Sequence, residues 1–366
     1  MSNPFNPAFG KRPRLFFGRQ DISRAILSAV GEENSPWRTT LITGGRGAGK
    51  TTLLSDIRIN IDNLDAVALY VVPNEALLES ILVQLYRQLP KSATDALPEL
   101  KNISVNLGVS VGFEKNRQMP SFTETFSFQI MELLDAYMKR EKHVVFLIDE
   151  AQKHTEDMRI FINTYQDLIM RDYSVSMVLA GLPSVVSDIL SDDVLTFLRR
   201  AKQVELENVE IMIVQHEFRK VFSGLAASLS EDIIIKAANA TYGYPYLIQL
   251  VGYYLWEKMH QSNAGDILDD VLFDSKAELF RNVHRLIFAE LSNRDREFVF
   301  AMAEDEGYSS VSDIGKRMKK EKNFISLYRE RLISAGVVKS AGHGTLCFCY
   351  PYMREFLAQK KLENNY

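Results

Sequence analysis

Leu41-Ile42-Thr43-Gly44-Gly45-Arg46-Gly47-Ala48-Gly49-Lys50-Thr51-Thr52 fits the pattern G-x-x-x-x-G-K-[ST] at every fixed position. Such an octet can also be a glycine-rich turn without a ligand, and the flanks decide between the two. Upstream, Thr39 to Thr43 reads as a short buried strand; downstream, Thr51 to Ile59 reads as the start of a helix. Strand, tight turn and helix N-terminus, in that order, are what a phosphate loop requires. The glycines let the backbone N–H groups of Gly44 to Thr52 approach phosphate oxygens, and the helix start adds partial positive charge. Lys50 is expected to reach the β- and γ-phosphates, and the Thr51 hydroxyl to ligate Mg²⁺. The expected ligand is a nucleoside triphosphate, ATP or its product ADP.

A chain of 366 residues exceeds one ordinary core, so two or three domains are expected. A net charge of −4 argues against a protein that coats nucleic acid over its whole surface, while leaving room for one local basic patch. The two cysteines, in Leu346-Cys347-Phe348-Cys349-Tyr350, share one face of a strand. One intervening residue and no ligand cluster nearby argue against zinc, and the spacing is poor for a disulfide. The longest apolar stretch, Tyr244 to Trp256, is too short to span a bilayer and contains Gln249. With no apolar core near Met1, a secretory signal is not expected, and the expected location is cytoplasmic.

Outward from the loop, strands and helices alternate. Ala66 to Val72 reads as a strand buried on both faces, and Glu75 to Leu89 carries apolar residues at helical spacing. Ser104 to Glu114 alternates as a hairpin turning near Gly108. A long helix over Ser121 to Lys142 opens with a capping box from Ser121 to Glu124. Val144 to Ile148 is a strand, Asp157 to Met170 a helix and Ser174 to Ala180 a strand. Short apolar strands separated by helices imply a parallel sheet covered on both faces. From Val209 helices take over: Ile211 to Leu225, Ser230 to Thr241 and Tyr246 to Met259. The domain expectation is 1–207 for the nucleotide core, 208–282 for a helical lid and 283–366 for a last unit.

His143-Val-Val-Phe-Leu-Ile-Asp149-Glu150 is an apolar strand ending in two carboxylates. Downstream of a phosphate loop, Asp149 suits the Mg²⁺ shell and Glu150 suits the base that polarises an attacking water; an acidic pair capping the next helix is the plain alternative.

Further residues carry a family resemblance. They are Asn3-Pro-Phe-Asn-Pro-Ala-Phe-Gly10, Phe16-Phe17-Gly18-Arg19 with Asp21, Asp149-Glu150-Ala-Gln152, Leu179-Ala-Gly181-Leu-Pro183, Leu198-Arg199-Arg200 and Gly243-Tyr-Pro245. With the phosphate loop, the chain resembles the AAA+ superfamily, and within it the archaeal and bacterial ATPases related to origin-recognition and loader proteins and to STAND signalling ATPases. The resemblance implies an α/β P-loop NTPase sheet with a helical lid and a C-terminal winged helix-turn-helix. It implies that Phe17, Gly18 and Arg19 lie near the adenine. It further implies that Arg199 or Arg200 acts as an arginine finger toward a neighbouring subunit; a surface pair at a helix end is the alternative. Two departures stand out. The strand ending in Ala-Gly-Leu-Pro lacks the family's polar residue near the γ-phosphate, leaving only Ser176 and Ser184 nearby. The lid helix opens with Gly243-Tyr244-Pro245-Tyr246 where many members carry an arginine, and the STAND pattern implies that Pro245 packs on the base. Both suggest slow hydrolysis.

In the last segment, Asn293 to Ala303, Asp313 to Met318 and Phe324 to Ala335 read as three helices. Gly336 closes the third, and a two-stranded wing over Thr345 to Tyr350 follows. Between Val311 and Ser340 stand eight basic residues, Lys316, Arg317, Lys319, Lys320, Lys322, Arg329, Arg331 and Lys339, against the acids Asp313, Glu321 and Glu330. Lys316, Arg317, Lys319, Lys320, Lys322 and Arg329 are candidate contacts to the phosphates of double-stranded DNA. Asn323, Ser326 and Arg329 are candidates for base edges, and His343 at the wing tip for a minor groove. The same face can instead be solvated, dock on the nucleotide unit, or meet a protein partner. The expectation is an ATP·Mg²⁺-dependent ATPase, homo-oligomeric when ATP-bound, that couples nucleotide state to DNA or factor loading. The rival is a signalling switch whose winged helix docks on the nucleotide unit.

Overall fold

A computed structural model describes residues 2–8, 15, 17–74, 76–95, 122–151, 155–193, 195–223, 229–259 and 267–364. The hairpin expected over 104–114 and the capping box at Ser121 lie outside them. The first part runs α1 (Gln20–Ser28), β1 (Thr39–Thr43), α2 (Lys50–Ile61), β2 (Ala66–Val71), α3 (Leu77–Gln88), α4 (Lys91–Thr94), α5 (Phe122–Met138), β3 (His143–Ala151), α6 (Glu156–Met170), β4 (Val175–Gly181), α7 (Pro183–Ser191) and β5 (Lys202–Glu205). Helices then take over: α8 (Ile211–Phe222), α9 (Glu231–Ala240), α10 (Pro245–Met259), α11 (Ile267–Leu279) and α12 (Arg285–Glu290), with a π turn at Phe280–His284 joining the last two. The last part is α13 (Asn293–Ala303), β6 (Ser309–Ser310), α14 (Val311–Met318), α15 (Lys322–Ser334), β7 (Val338–Ser340), β8 (Thr345–Phe348) and α16 (Met353–Asn364).

The five strands of the first part form a parallel sheet in the order β2-β3-β4-β1-β5. Side chains alternate across a strand, so β3 sends Val144, Phe146 and Ile148 to one face and Val145 and Leu147 to the other. The first set packs with α3, α5, α6 and α7, the second with α1 and α2. Both faces being covered explains why β1, β3 and β4 read as continuous apolar runs rather than alternating ones. In this order β4 lies between β1 and β3. The loop after β1 and the acidic pair ending β3 therefore flank the end of β4, at the carboxyl edge where open α/β sheets bind ligands.

A second core lies outside the sheet. One buried cluster runs from Phe5 and Phe17 through α8 to α11 and on to α13, α14, α15, β8 and α16. Three helices followed by a β7–β8 hairpin appear in the expected order, with Ser292 and Asp295 closing a capping box on α13. Phe5 sits at a tight crossing, stacked on Phe222 and edge-on to Phe218. A Cβ added to Gly252 of α10 would meet its ring at 2.2 Å. No helix among the described residues is long and apolar enough to cross a membrane.

Alanine in a helix interior ordinarily gains about 0.5–1 kcal/mol over glycine. Gly252→Ala should instead lose about 1–3 kcal/mol, because Phe5 must leave its pocket. Urea denaturation measures the sign.

Candidate functional site

The loop after β1 turns through left-handed backbone at Gly47 and Gly49, where φ is +69° and +91°. Gly49 is also the N-cap of α2, so the helix begins at Lys50 with its free N–H groups facing the loop. The Lys50 amine donates to the carbonyls of Gly44 and Gly45 at 2.8 and 2.9 Å. Burial pushes this amine down to about 8, with the charge of Asp149 opposing the shift.

Opposite the loop, β3 ends in a register shift between Ile148 and Ala151, and Glu150 there has φ +51°. The bulge separates the two carboxylates. Asp149 is 1% exposed, whereas Glu150 is exposed. Asp149 accepts the Glu150 N–H on Oδ1 at 2.9 Å and the Tyr70 hydroxyl on Oδ2 at 2.5 Å. Burial, and then the bond to Asp149, raise the Tyr70 hydroxyl above its ordinary range, so it stays a donor.

Loop and acidic pair border one cavity of about 850 Å³. Of the expected site residues, Phe17, Arg19, Arg46, Gly47, Ala48, Gly49, Lys50, Thr51, Thr52, Asp149, Glu150 and Pro245 line it together. Gly18, with φ +64°, packs against Val209 instead. Gly44 lies under Leu206 and Gly45 under Tyr350. Arg199 and Arg200 stand outside the cavity, in the 3-10 turn Thr196–Arg200 before β5. The Arg199 Nε donates to the Leu190 carbonyl at 2.9 Å. The polar residues near β4 do not reach the cavity: Ser176 is buried against His143 Nε2 at 2.8 Å.

Several contributors were given no place in the site by the sequence reading. The N-terminal segment borders the cavity through Asn6, Pro7 and Ala8. It is pinned by Gln249, which accepts the Asn6 N–H at 2.9 Å and donates to Leu15 O at 3.3 Å. Two tyrosines grip the Arg46 peptide. Tyr244 donates to its carbonyl at 2.5 Å, and Tyr350 accepts its N–H at 3.1 Å. The Arg46 guanidinium pairs with Glu290 of α12. Tyr70 escaped as well: it is a polar-tipped aromatic at the carboxyl end of an apolar strand, and its partner is set by register. Nothing near Tyr350 signals a partner 304 positions away.

The cavity fits a magnesium nucleotide. A Cβ on Gly47 would stand 2.2 Å from the Tyr244 hydroxyl, so the loop tolerates no side chain there. Among the described residues no group of three or more His, Cys, Asp or Glu side chains could hold a metal unaided. One hydroxyl (Thr51) and one carboxylate (Asp149) suit Mg²⁺, which takes its other ligands from phosphates and water.

In the last part, Lys316 pairs with Asp313 at 2.8 Å. Arg317 bonds to Asp305 and to the Ala301 carbonyl, both at 2.7 Å, which makes it a strut between α14 and the end of α13. Lys319, Lys320, Lys322, Asn323 and His343 are exposed. The Lys320 amine also lies 5.5 Å from the Phe324 ring centroid. Ser326 and Arg329 are half-buried. Cys347 and Cys349 are free thiols.

A parallel sheet with a phosphate loop after β1 and an acidic pair ending β3 is the P-loop nucleoside triphosphatase fold in its AAA+ form. Solved structures share it along nearly the whole chain. A Walker-type ATPase of Pyrococcus abyssi is 17% identical over 95% of this chain and 97% of that one, with a TM-score of 0.64. The ORC2 protein of Aeropyrum pernix, in complexes with ADPNP and ADP, is 13% identical over 98% of both, at 0.59. Cdc6p of Pyrobaculum aerophilum is 14% identical over 98% and 97%, at 0.51. Residues 38–239, more than half of the chain, match the family described as Schlafen group 3, DNA/RNA helicase domain, and the chain belongs to that family. Residues 281–357 match a domain family of unknown function, DUF8462. No curated protein sequence matches this one.

Lys50 holds its proton more weakly in the folded protein than in the unfolded chain, where lysine titrates at 10.5. Between pH 8 and 10.5 the unfolded chain therefore binds more protons, and stability rises with pH across that window. Lys50→Met should lack this rise. Urea denaturation of both nucleotide-free proteins at neutral pH and midway through the window checks it.

Proposed function

We propose that this protein binds ATP with Mg²⁺, hydrolyses it slowly, and couples nucleotide state to engagement of double-stranded DNA through residues 283–366. The observation that carries the coupling is the bond from the Arg46 N–H to Tyr350. A backbone group of the phosphate loop is held by the segment that bears the basic turn. In this reading Lys50 leaves the Gly44 and Gly45 carbonyls for the β- and γ-phosphates. Thr51 and Asp149 hold Mg²⁺, which neutralises phosphate charge. Glu150, exposed at its bulge, takes the proton of the attacking water. Phe17, Gly18, Arg19 and Pro245 form the base end. Arg200, exposed and not tied to Leu190 as Arg199 is, is the better placed of the two for a neighbouring subunit. Such a finger would make turnover depend on a homo-oligomer. Lys319, Lys320 and Lys322 supply phosphate contacts, with Asn323, Ser326, Arg329 and His343 beside them. The DNA/RNA helicase name of the matched family supports a nucleic-acid partner.

Glu150→Gln should keep nucleotide binding and lose hydrolysis about 10²–10⁴-fold. With that variant, fluorescence anisotropy on duplex DNA should show binding that needs ATP and weakens steeply with salt. Replacing Lys319, Lys320 and Lys322 by alanine should flatten the slope of log affinity against log salt by about 0.9 for each phosphate no longer neutralised. Binding that is absent, or indifferent to salt, in the ATP, ADP and nucleotide-free states overturns the DNA reading.

The same Tyr350 contact favours a second reading, a switch in which the docked segment controls oligomerisation or a protein partner. Tyr350→Phe should then oligomerise with ADP, where the wild type does so only with ATP. Sedimentation velocity separates the two.

A further inference from the structure

We propose that Tyr70 is a positioning residue for the metal site, its hydroxyl fixing the orientation in which the Asp149 carboxylate meets the magnesium shell. The inference rests on the reading of Asp149 as a metal-shell residue and adds a residue outside the phosphate-loop and acidic-pair motifs.

The placement follows from register. Tyr70 of β2 stands opposite Leu147 of β3, and Asp149 lies two positions beyond Leu147. Side chains two apart on a strand share a face, so Tyr70 and Asp149 are diagonal neighbours on the α2 side of the sheet. A short polar side chain on β2 would fall short of that diagonal; the length of a tyrosine spans it. The ring is fixed in turn, half-buried against the cluster of Leu53, Leu54 and Ile57 and with the Arg58 guanidinium 6.0 Å from its centroid. Its hydroxyl therefore arrives from a set direction.

A carboxylate offers about four lone-pair positions. Asp149 has one position on Oδ1 taken by the Glu150 N–H and one on Oδ2 taken by Tyr70. Two donors on different oxygens stop rotation about the Cβ–Cγ bond, and each oxygen keeps a free lone pair. Tyr70 approaches from β2, and the cavity borders Asp149 without being lined by Tyr70. The hydroxyl thus works from behind the carboxylate. Without it, a carboxylate that is 1% exposed keeps, among the described residues, the single donor Glu150 N–H and is free to turn. Partners of this kind behind a metal ligand ordinarily matter by about 10- to 100-fold in metal affinity.

Tyr70→Phe keeps the ring and removes only the hydroxyl. Binding of a fluorescent ADP analogue, titrated with Mg²⁺ on the full chain, should show the half-saturating Mg²⁺ raised about tenfold or more. Affinity for the analogue in EDTA should match the wild type. An unchanged Mg²⁺ midpoint beside a Mg²⁺-dependent wild type overturns the role of Tyr70 and leaves that of Asp149 standing. An equal loss of affinity with and without Mg²⁺ also overturns it, because the hydroxyl would then support the cavity generally. A wild type whose binding ignores Mg²⁺ overturns the metal reading of Asp149, and this inference falls with it.

Discussion

The peptide on either side of Arg46 is clasped from two directions, its carbonyl by Tyr244 just before α10 and its N–H by Tyr350 just after β8. A loop of four glycines in six residues has little of its own to hold it in one shape, and glycine loses the most freedom on ordering. The left-handed turns at Gly47 and Gly49 therefore persist because neighbours confine them. The neighbours that do so are 198 and 304 positions away in sequence. Each neutral bond is worth about 0.5–1.5 kcal/mol, and the half-exposed Arg46–Glu290 pair at most about 1 kcal/mol. The clasp is thus strong enough to order the loop and weak enough to yield. A ligand that competes for the Arg46 N–H, or shifts its carbonyl, needs only a modest difference in affinity between clasped and released states to move the population.

The far side of the cavity solves a different problem. Two consecutive acids at a strand end would alternate faces in regular β structure, one into each core. The bulge and the left-handed Glu150 avoid that outcome. Asp149 stays on the α2 face with both oxygens bonded, while Glu150 comes out at the cavity edge. A non-glycine residue in that conformation costs about 1–3 kcal/mol. The Glu150 N–H bond to Asp149 offsets part of the cost and links the two side chains, so the conformation of one sets the orientation of the other.

How much of this was legible followed range. The phosphate loop, the acidic strand end and the β3 and β4 runs are local patterns and read directly. So did α13 to α15, whose apolar spacing lies within each helix. Edge strand β5, Lys-Gln-Val-Glu, escaped because three of its four side chains are exposed and no apolar run marks it. Helix α16 hides its inward face in Met353, Phe356 and Leu357, followed by polar residues. Buried positions of α11 recur every fourth residue at Ile267, Val271, Ser275 and Leu279, a stripe diluted by acids. Tyr70 and Tyr350 depend on register and on docking, which no local pattern carries. Charge was legible as a count and not as a pattern of partners: Arg317 is bound to Asp305, and Lys316 to Asp313.

Those partners bear on how a nucleotide signal could reach DNA. The side of the last segment facing the phosphate loop presents Glu290, Tyr350 and, against Pro183 at the start of α7, Gly336. Tyr352 beside it bonds to the Ala240 carbonyl at the end of α9. Lys319 and Lys320 occupy the turn between α14 and α15, Lys322 and Asn323 open α15, and all four are exposed while these contacts are made. Docking on the loop therefore does not consume the basic turn. Release of the clasp cannot act by uncovering these lysines, because they are already uncovered. What the clasp does fix is the orientation of the segment relative to the sheet, and under the proposed function that is what its release would change. Single basic turns bind DNA weakly, and affinity climbs when several are held in register by an assembly. Under the proposed function, the nucleotide would then govern how many turns reach one duplex at once, and exposure of the lysines in the docked state is compatible with that proposal.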